Sequence, residues 1–378
     1  MSRSIAVLGL LLAAAAPALG LEYVTIQQNG RQTELAGKLA VEAEDGGVML
    51  LTPDGVLWPL PKEEIVSRRS DEKPFVPLSA EELSAKLTAE LPAGFKIHQT
   101  KNYLICYNTS PAYAQWVGGL FERLNGAFYN YWTRRGVEMR PPQFPLVALV
   151  FDSKSSYAQH ARGELGEATN SIIGYYSLKT NRMTMYDLTG VEEVGGGARA
   201  TTAARINQVL SRPGAERTVA TIVHEATHQL AFNSGLQVRY ADIPMWVSEG
   251  LAIYFETPDL ESRTGWRNIG GVNRVNLINY RKAAAGGSLL SLEDLLTDDK
   301  RFRDPSLAAT AYAQAWALNY FLLKTRSEPY VKYLQAQAAQ SPLVTMDRDE
   351  RLKQFQDHLG GDVTATEADF LRFMRSVN

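Results

Sequence analysis

The sequence has 378 residues, of which 45% are hydrophobic and 21% charged, and its formal net charge is -2. This length allows one large domain or two smaller ones with a buried core, and the composition is ordinary for a folded globular protein. A charge so close to zero argues against a nucleic-acid partner and against binding to an anionic membrane surface. We therefore expect function to come from local sites rather than from bulk charge.

The first 20 residues have the pattern of a secretory signal peptide. Arg3 gives a positive start, residues 5–16 are apolar, and Ala18-Leu19-Gly20 is a small-x-small cleavage sequence. The apolar run is short for a bilayer span, which makes an uncleaved anchor the weaker alternative. No cysteine directly follows the apolar run, so a lipoprotein anchor is not expected. We predict cleavage near Gly20, a secreted or periplasmic protein, and no stable membrane insertion after cleavage.

Residues 21–70 have the pattern of a small β module. Short β-prone runs alternate with the turn sequences Asn29-Gly30, Asp45-Gly46-Gly47 and Asp54-Gly55. A ligand-binding module and a packing module are both compatible with this pattern. Residues 71–94 read as a linker that contains a helix over 79–91, because Ser79 and Glu82 have capping-box spacing.

A second region covers residues 95–378, and its first half mixes strands with helices. Its predicted elements are a strand over 95–108, a helix over 111–134, a strand over 144–151, and a hairpin of the runs 172–177 and 182–187. The only cysteine, Cys106, lies in the first strand and is expected to be a buried small hydrophobe. Beyond Gly195-Gly-Gly197, and clearly from Ala215 onwards, helical spacing dominates. The predicted fold class is α+β, with a mixed sheet in the N-terminal half and helices in the C-terminal half.

Two of the five histidines lie in the sequence His224-Glu225-Ala-Thr-His228. The flanking residues 215–234 have helical spacing, so positions four apart lie on one face and both imidazoles project the same way. That arrangement suits two nitrogen ligands of one zinc ion. Glu225 is one step round the helix, where a carboxylate is able to activate a water without displacing it.

A third ligand is predicted on the next helix, over residues 244–256. The neighbours of Glu249 three and four residues away are all apolar, and a lone buried carboxylate is costly unless it is paired or binds a metal. We expect Asp242 to cap this helix and Pro258 to end it. Gly250 would allow a facing helix to approach closely.

These two segments together resemble the gluzincin superfamily of zinc metallopeptidases, which includes thermolysin and the M1 aminopeptidases. The matching sequences are His224-Glu-Ala-Thr-His228 and Trp246-Val-Ser-Glu-Gly-Leu-Ala252. The closest likeness is to a branch of predicted bacterial secreted metallopeptidases with a peptidase-MA-like (DUF1570-like) domain. Gly174-Tyr-Tyr176 and Ala311-Tyr-Ala-Gln-Ala-Trp316 also fit that branch, and the resemblance covers roughly residues 95–378.

The resemblance implies a thermolysin-like fold, one Zn²⁺ ion and a peptide or protein substrate. His224, His228 and Glu249 would hold zinc, and Glu225 would move a proton from the zinc-bound water to the leaving amine. Tyr312 is the candidate donor to the developing oxyanion, although its spacing to Trp316 and Tyr320 also fits a core helix.

Two departures from the family pattern qualify the expectation. The Gly-x-Met-Glu-Asn motif of the M1 aminopeptidases is absent, which favours an endopeptidase. Ile253 stands where thermolysin-like enzymes keep an acidic residue that orients a histidine, and the sequence names no replacement.

Several neighbouring side chains receive plainer interpretations. Glu256 is expected to be a solvated residue at a helix end. Tyr175 and Tyr176 could flank an extended peptide, with strand packing the better explanation for at least one of them. His98, His160 and His358 are expected to have no role in the site.

The overall prediction is a monomeric, secreted zinc endopeptidase. One alternative is a catalytically inactive zinc-fold protein that serves as a binding scaffold. A second is a zinc amidase that acts on a non-protein amide, and a third is a purely structural envelope protein.

Overall fold

A computed structural model describes residues 20–170, 172–190, 199–256 and 269–378. The chain divides into two compact units, Met1–Leu78 and Ser79–Asn378. The predicted signal peptide lies outside the described residues except for Gly20. The helix predicted in the linker forms part of the second unit, and its capping box is confirmed: Ser79 and Glu82 each accept a hydrogen bond from the other's backbone N–H.

The first unit is a five-stranded antiparallel sheet with strand order β4-β3-β2-β1-β5. Its strands are β1 (Glu22–Gln28), β2 (Arg31–Glu42), β3 (Val48–Leu51), β4 (Leu57–Leu60) and β5 (Ile65–Ser70). The predicted turn at Asn29-Gly30 joins β1 to β2, and both residues have positive φ, as a tight hairpin requires. The predicted small β module is therefore confirmed as a sheet, with a core of Val24, Ile26, Val48, Leu50 and Leu60.

The second unit contains a mixed sheet with strand order β6-β7-β8-β10-β9. Its strands are β6 (Lys96–Gln99), β7 (Tyr103–Tyr107), β8 (Leu146–Phe151), β9 (Gly174–Tyr176) and β10 (Arg182–Tyr186). The three central strands run parallel, and each outer strand is antiparallel to its neighbour. The predicted hairpin is confirmed as β9 and β10, and β9 forms one edge of the sheet.

The prediction of one strand over residues 95–108 is wrong, because the chain reverses between β6 and β7. The carboxylate of Glu122 accepts hydrogen bonds from the Thr100 hydroxyl and from both the backbone and side-chain amides of Asn102, each at 2.7 Å. A carboxylate twenty residues away thus holds the turn. Local sequence gives no sign of it.

Helices make up most of the remainder of the second unit. In the described residues they are α1 (Ala80–Glu90), α2 (Pro111–Thr133), α3 (Lys154–Leu165), α4 (Ala203–Leu210), α5 (Pro213–Asn233), α6 (Met245–Phe255), α7 (Arg274–Ala285), α8 (Leu292–Thr297), α9 (Lys300–Arg303), α10 (Ala308–Thr325), α11 (Ser327–Ala338), α12 (Arg348–Leu359) and α13 (Val363–Ser376). The predicted α+β class is confirmed, with the sheet in the N-terminal half and helices in the C-terminal half. None of the described helices combines the length and apolarity needed to cross a membrane.

Cys106 lies on β7, between Ile97 on β6 and Leu149 on β8. Its side chain is fully buried, and burial raises the pKa of the thiol to about 12. The thiolate is therefore not accessible at neutral pH. The prediction of a buried small hydrophobe is confirmed.

Side-chain amides fix helix α5 to the sheet. Gln229 on α5 donates to the backbone carbonyls of Val147 and Asn181, each at 3.0 Å. Asn181 in turn donates to the side chain of Asn233 at 2.8 Å. These buried bonds set the position of α5 relative to strands β8 and β10, and the same helix carries the two histidines of the predicted site.

Candidate metal centre

The two predicted metal-binding segments form helices α5 and α6. Helix α5 begins with Pro213 at its first position, where the missing N–H costs nothing, and ends just before Gly235, which has a φ of 82°. His224 and His228 are four residues apart on it, and Glu249 is in the middle of α6. The side chains of these three residues are between 12% and 17% exposed, so they are largely but not fully screened from solvent.

Their ligand atoms converge on one point. His224 Nε2 lies 3.1 Å from Glu249 Oε2 and 3.2 Å from His228 Nε2, and His228 Nε2 lies 3.7 Å from Glu249 Oε1. All three ligand atoms lie within 4.8 Å of one another. These three residues could therefore hold a metal ion. Two imidazole nitrogens and one carboxylate oxygen are donors that zinc accepts, so their chemistry fits a zinc ion.

Electrostatics at this point also favour a cation. Burial opposes a charged imidazole at His224, but hydrogen bonds to Glu249 and Glu256 outweigh it and raise the pKa of His224 well above its usual value. Burial likewise opposes a charged Glu249, but the neighbouring His228 and His224 outweigh it and lower the pKa of this carboxyl. A centre that stabilises positive charge in this way also suits a divalent metal ion.

Glu256 is not the solvated residue that the sequence predicts. Its side chain is 18% exposed, and its Oε2 lies 3.3 Å from His224 Nδ1. Its other oxygen accepts a hydrogen bond from Asn273 Nδ2 at 2.7 Å. Because a carboxylate accepts, Glu256 favours a proton on His224 Nδ1, which leaves Nε2 as the nitrogen available to a metal ion at the centre. Glu256 is thus the carboxylate in contact with an outer histidine nitrogen, for which Ile253 left no candidate.

The sequence contained one signal for Glu256, which is its spacing. Seven residues are almost two helical turns, so Glu249 and Glu256 lie on the same side of α6 and its C-terminal cap. The second histidine has a smaller partner, because Ser248 Oγ lies 3.4 Å from His228 Nδ1. In both histidines the outer nitrogen, Nδ1, therefore contacts α6 or its C-terminal cap. The inner nitrogen, Nε2, lies where the three ligand atoms converge.

We expect Glu256→Gln to weaken metal binding by roughly 10- to 100-fold, since partners of metal-bound histidines have effects of that size. A chelator-competition titration of the purified protein with zinc measures it. Glu328→Gln changes an exposed surface glutamate and is the matched control. An unchanged zinc affinity in Glu256→Gln would contradict the orienting role. Asn273→Ala should produce a smaller loss in the same direction.

The prediction that Asp242 caps α6 is wrong. Pro244 is the N-cap residue, and the backbone N–H of Met245 donates to Asp299 Oδ1 at 2.9 Å. Asp242 instead accepts from Arg351 at 2.7 Å, and Arg351 also contacts Asp299. The cap comes from a residue more than fifty positions along the chain, so local sequence could not identify it. Pro258 lies outside the described residues.

Gly250 gives α6 close contact with α10, as predicted. A Cβ atom at this position would lie 2.6 Å from the carbonyl oxygen of Ala315 and 2.1 Å from Asn319 Nδ2. Asn319 uses that nitrogen to donate to the carbonyls of Trp246 and Ala315. The residue next to Glu249 is thus in direct backbone contact with a buried helix, which fixes the position of the carboxylate.

Glu225 faces the same cleft, and its carboxylate accepts a hydrogen bond from the main chain. The backbone N–H of Tyr176, on edge strand β9, donates to Glu225 Oε2 at 2.9 Å. Burial raises the pKa of Glu225, an effect that nearby His224 and His228 oppose. The carboxylate is therefore held in place by main chain and made more basic by its surroundings.

Tyr312 lines the cleft together with Glu225 and Glu249. Burial raises the pKa of its phenol, and these two carboxylates add to the effect, so the hydroxyl remains a hydrogen-bond donor at neutral pH. Trp316, one turn along α10, is fully buried and belongs to the core. The aromatic repeat on this helix is thus divided between cleft and core.

The cleft has a volume of about 920 Å³. Tyr175 and Tyr176 on β9 both line it, although Tyr175 is only 9% exposed and its ring also contacts Tyr157. The structure therefore brings all five predicted site residues to one cleft in the second unit. These are His224, Glu225, His228, Glu249 and Tyr312.

Residues 218–344 match a family model described as "Protein of unknown function (DUF1570)". The match covers about a third of the chain's length. The matched residues include both histidines, both glutamates and Tyr312, and the description assigns them no activity. In a comparison of the chain with curated proteins, none matches.

Proposed function

We propose that the second unit is a zinc-dependent peptidase of the gluzincin type, secreted or periplasmic, that cleaves extended peptides internally. The observation that carries the proposal is the convergence of His224 Nε2, His228 Nε2 and a Glu249 carboxylate oxygen, with Glu225 held beside them. Three such ligands with a carboxylate base in a cleft form the usual arrangement for metal-assisted hydrolysis.

His224, His228 and Glu249 would hold the ion. A zinc ion bound there supplies Lewis-acid polarisation of a carbonyl and makes a water molecule more acidic. The protein's own residues orient the ligands, transfer the proton and stabilise charge on the substrate. Glu256 and Ser248 orient the outer nitrogens of the histidines, so the inner nitrogens are free to bind metal.

Glu225 acts as general base and then as general acid. Its carboxylate takes a proton from the attacking water and then delivers it to the nitrogen of the leaving amine. The hydrogen bond from Tyr176 N–H holds one oxygen and leaves the other for this transfer. Burial raises the pKa of Glu225 from the usual glutamate value towards neutral pH. A pKa shifted in this direction suits a residue that must both accept and release a proton.

Tyr312 would stabilise charge on the substrate. Its phenol lines the same cleft and keeps its proton, so it is able to donate to the oxygen that becomes negative as the carbonyl is attacked. Substrate would lie along β9, because an edge strand has unpaired backbone groups that bind an extended peptide.

The test is cleavage of a mixed peptide library by the mature protein, with products read by mass spectrometry. We expect internal cuts that disappear after chelation and return when zinc is restored, together with one zinc per chain by elemental analysis. Zinc binding without any peptide cut would overturn the peptidase assignment and favour a binding scaffold. Assay of non-protein amides then separates the amidase alternative.

A further inference from the structure

The cleft has an unusual distribution of charged side chains. Besides the two histidines, its described lining contains two carboxylates, Glu225 and Glu249, and two cations, Arg217 and Lys154. Both carboxylates belong to the metal centre. The two cations have no part in the metal centre or in the proton transfer, so they require a separate explanation.

Arg217 lies on the cleft-facing side of α5. It is seven residues before His224, which places it almost two turns away, or roughly 10 Å along the helix axis. Thr221, between them on the same face, also lines the cleft. The Arg217 side chain is exposed, and no ion pair joins it to a carboxylate among the described residues. A substrate extending from the metal centre along α5 would pass it.

Lys154 is the first residue of α3, directly after the N-cap Ser153. A cation in this position is unfavourable for the helix, because the N-terminus carries a partial positive charge. Lys154 is exposed and likewise has no carboxylate partner in the described part of the chain. Helix stability therefore does not explain why a lysine occupies the cleft wall here.

The charges of the described lining do not cancel once a metal ion is bound. A divalent ion would balance the two carboxylates, and the two remaining cations leave this described part of the lining with a surplus of positive charge. The chain as a whole has a net charge of -2, so this surplus is local to the cleft. Uncompensated charge lining a cleft attracts ligands of opposite sign and adds to specificity.

We infer that the cleft selects peptides that carry a carboxylate a few residues from the cleaved bond, and that Arg217 is the main specificity-determining residue, with Lys154 supporting it. The carboxylate is an Asp or Glu side chain or the free C-terminus of a short peptide. The inference rests on the proposed function for the nature of the ligand, an extended peptide. The planar guanidinium of Arg217 matches a carboxylate with two parallel hydrogen bonds.

The experiment measures peptide binding apart from cleavage. Full-length mature protein carrying Glu225→Gln is loaded with zinc and titrated with fluorescein-labelled peptides, and anisotropy gives Kd. The peptides are pairs that differ only in Glu against Gln at each position in turn, plus a pair that differs in a C-terminal acid against amide. Arg217→Gln and Lys154→Gln are made in the same background. Arg303→Gln removes an exposed arginine outside the cleft and is the control.

We expect the acidic member of at least one pair to bind about fivefold to tenfold more tightly, with the preference reduced by high salt. Arg217→Gln should remove most of that preference, Lys154→Gln a smaller part, and Arg303→Gln none. A preference confined to the acid–amide pair identifies the free C-terminus as the ligand group, and one confined to Glu–Gln pairs identifies a side chain.

The outcomes separate this inference from the proposed function. Equal binding of acidic and neutral peptides, with wild-type protein still cutting the library, overturns the charge selectivity alone. A preference that survives Arg217→Gln overturns the role of Arg217. Acid-dependent binding by a protein that cuts no peptide supports the selectivity and overturns the peptidase.

Discussion

Glu225→Gln is expected to lower kcat for peptide cleavage by about 10²- to 10⁴-fold while zinc remains bound. Gln has nearly the same shape, and its amide oxygen still accepts the 2.9 Å hydrogen bond from Tyr176 N–H. It cannot take a proton from water. The three ligand residues are unchanged, so the loss should be in turnover rather than in metal content.

Two measurements are needed together for this variant. Elemental analysis should give the same zinc content as wild type, and steady-state kinetics on one cleaved peptide gives the loss of kcat. Glu216→Gln, an exposed glutamate on the same helix, should keep full activity. Glu225→Gln with wild-type kcat would rule out the proposed proton transfer, whatever the zinc content.

Gly250→Ala is expected to lower the free energy of unfolding by about 3 kcal/mol. The new methyl group would lie 2.6 Å from the Ala315 carbonyl oxygen, which is backbone and cannot rotate away. Helices α6 and α10 must separate, and the buried bond from Asn319 to the Trp246 carbonyl is strained or lost. Glu249 moves with α6, so zinc should also be held less tightly.

Gly126→Ala provides the matched control. Gly126 lies within α2, and an added methyl group there meets nothing within 4 Å. Alanine has the higher helix propensity, so this variant should be more stable than wild type by up to about 1 kcal/mol. Urea unfolding of the metal-free proteins measures both. Equal stability of Gly250→Ala and wild type would show that the two helices tolerate a wider spacing.

The parts of the site that sequence could predict are those with local signals. His224 and His228 lie four apart on a helix with clear periodicity, and Glu249 stands among apolar neighbours, so side-chain spacing alone placed them. Their predicted roles remain to be tested. The sequence predicts a solvated Glu256 because a glutamate at a helix end is usually exposed. In the structure its carboxylate contacts His224 and Asn273, and Asn273 is the N-cap of another helix.

The errors in fold prediction have the same origin. Asp299 caps α6 from more than fifty residues away, and Glu122 holds the turn between β6 and β7 from twenty. In both places a carboxylate satisfies backbone N–H groups that sequence analysis assigned to a nearer residue or to a continuous strand. Local pattern identifies which elements form, whereas the partners of their ends depend on tertiary structure.

The bond from Tyr176 N–H to Glu225 has a consequence for which substitutions position 176 is able to accept. A main-chain donor is present whatever side chain occupies the position, with proline as the exception. The side chain of Tyr176 lines the cleft, yet the anchor of Glu225 does not depend on it. A substitution at position 176 other than proline therefore changes the cleft wall and keeps the main-chain bond that anchors the Glu225 carboxylate.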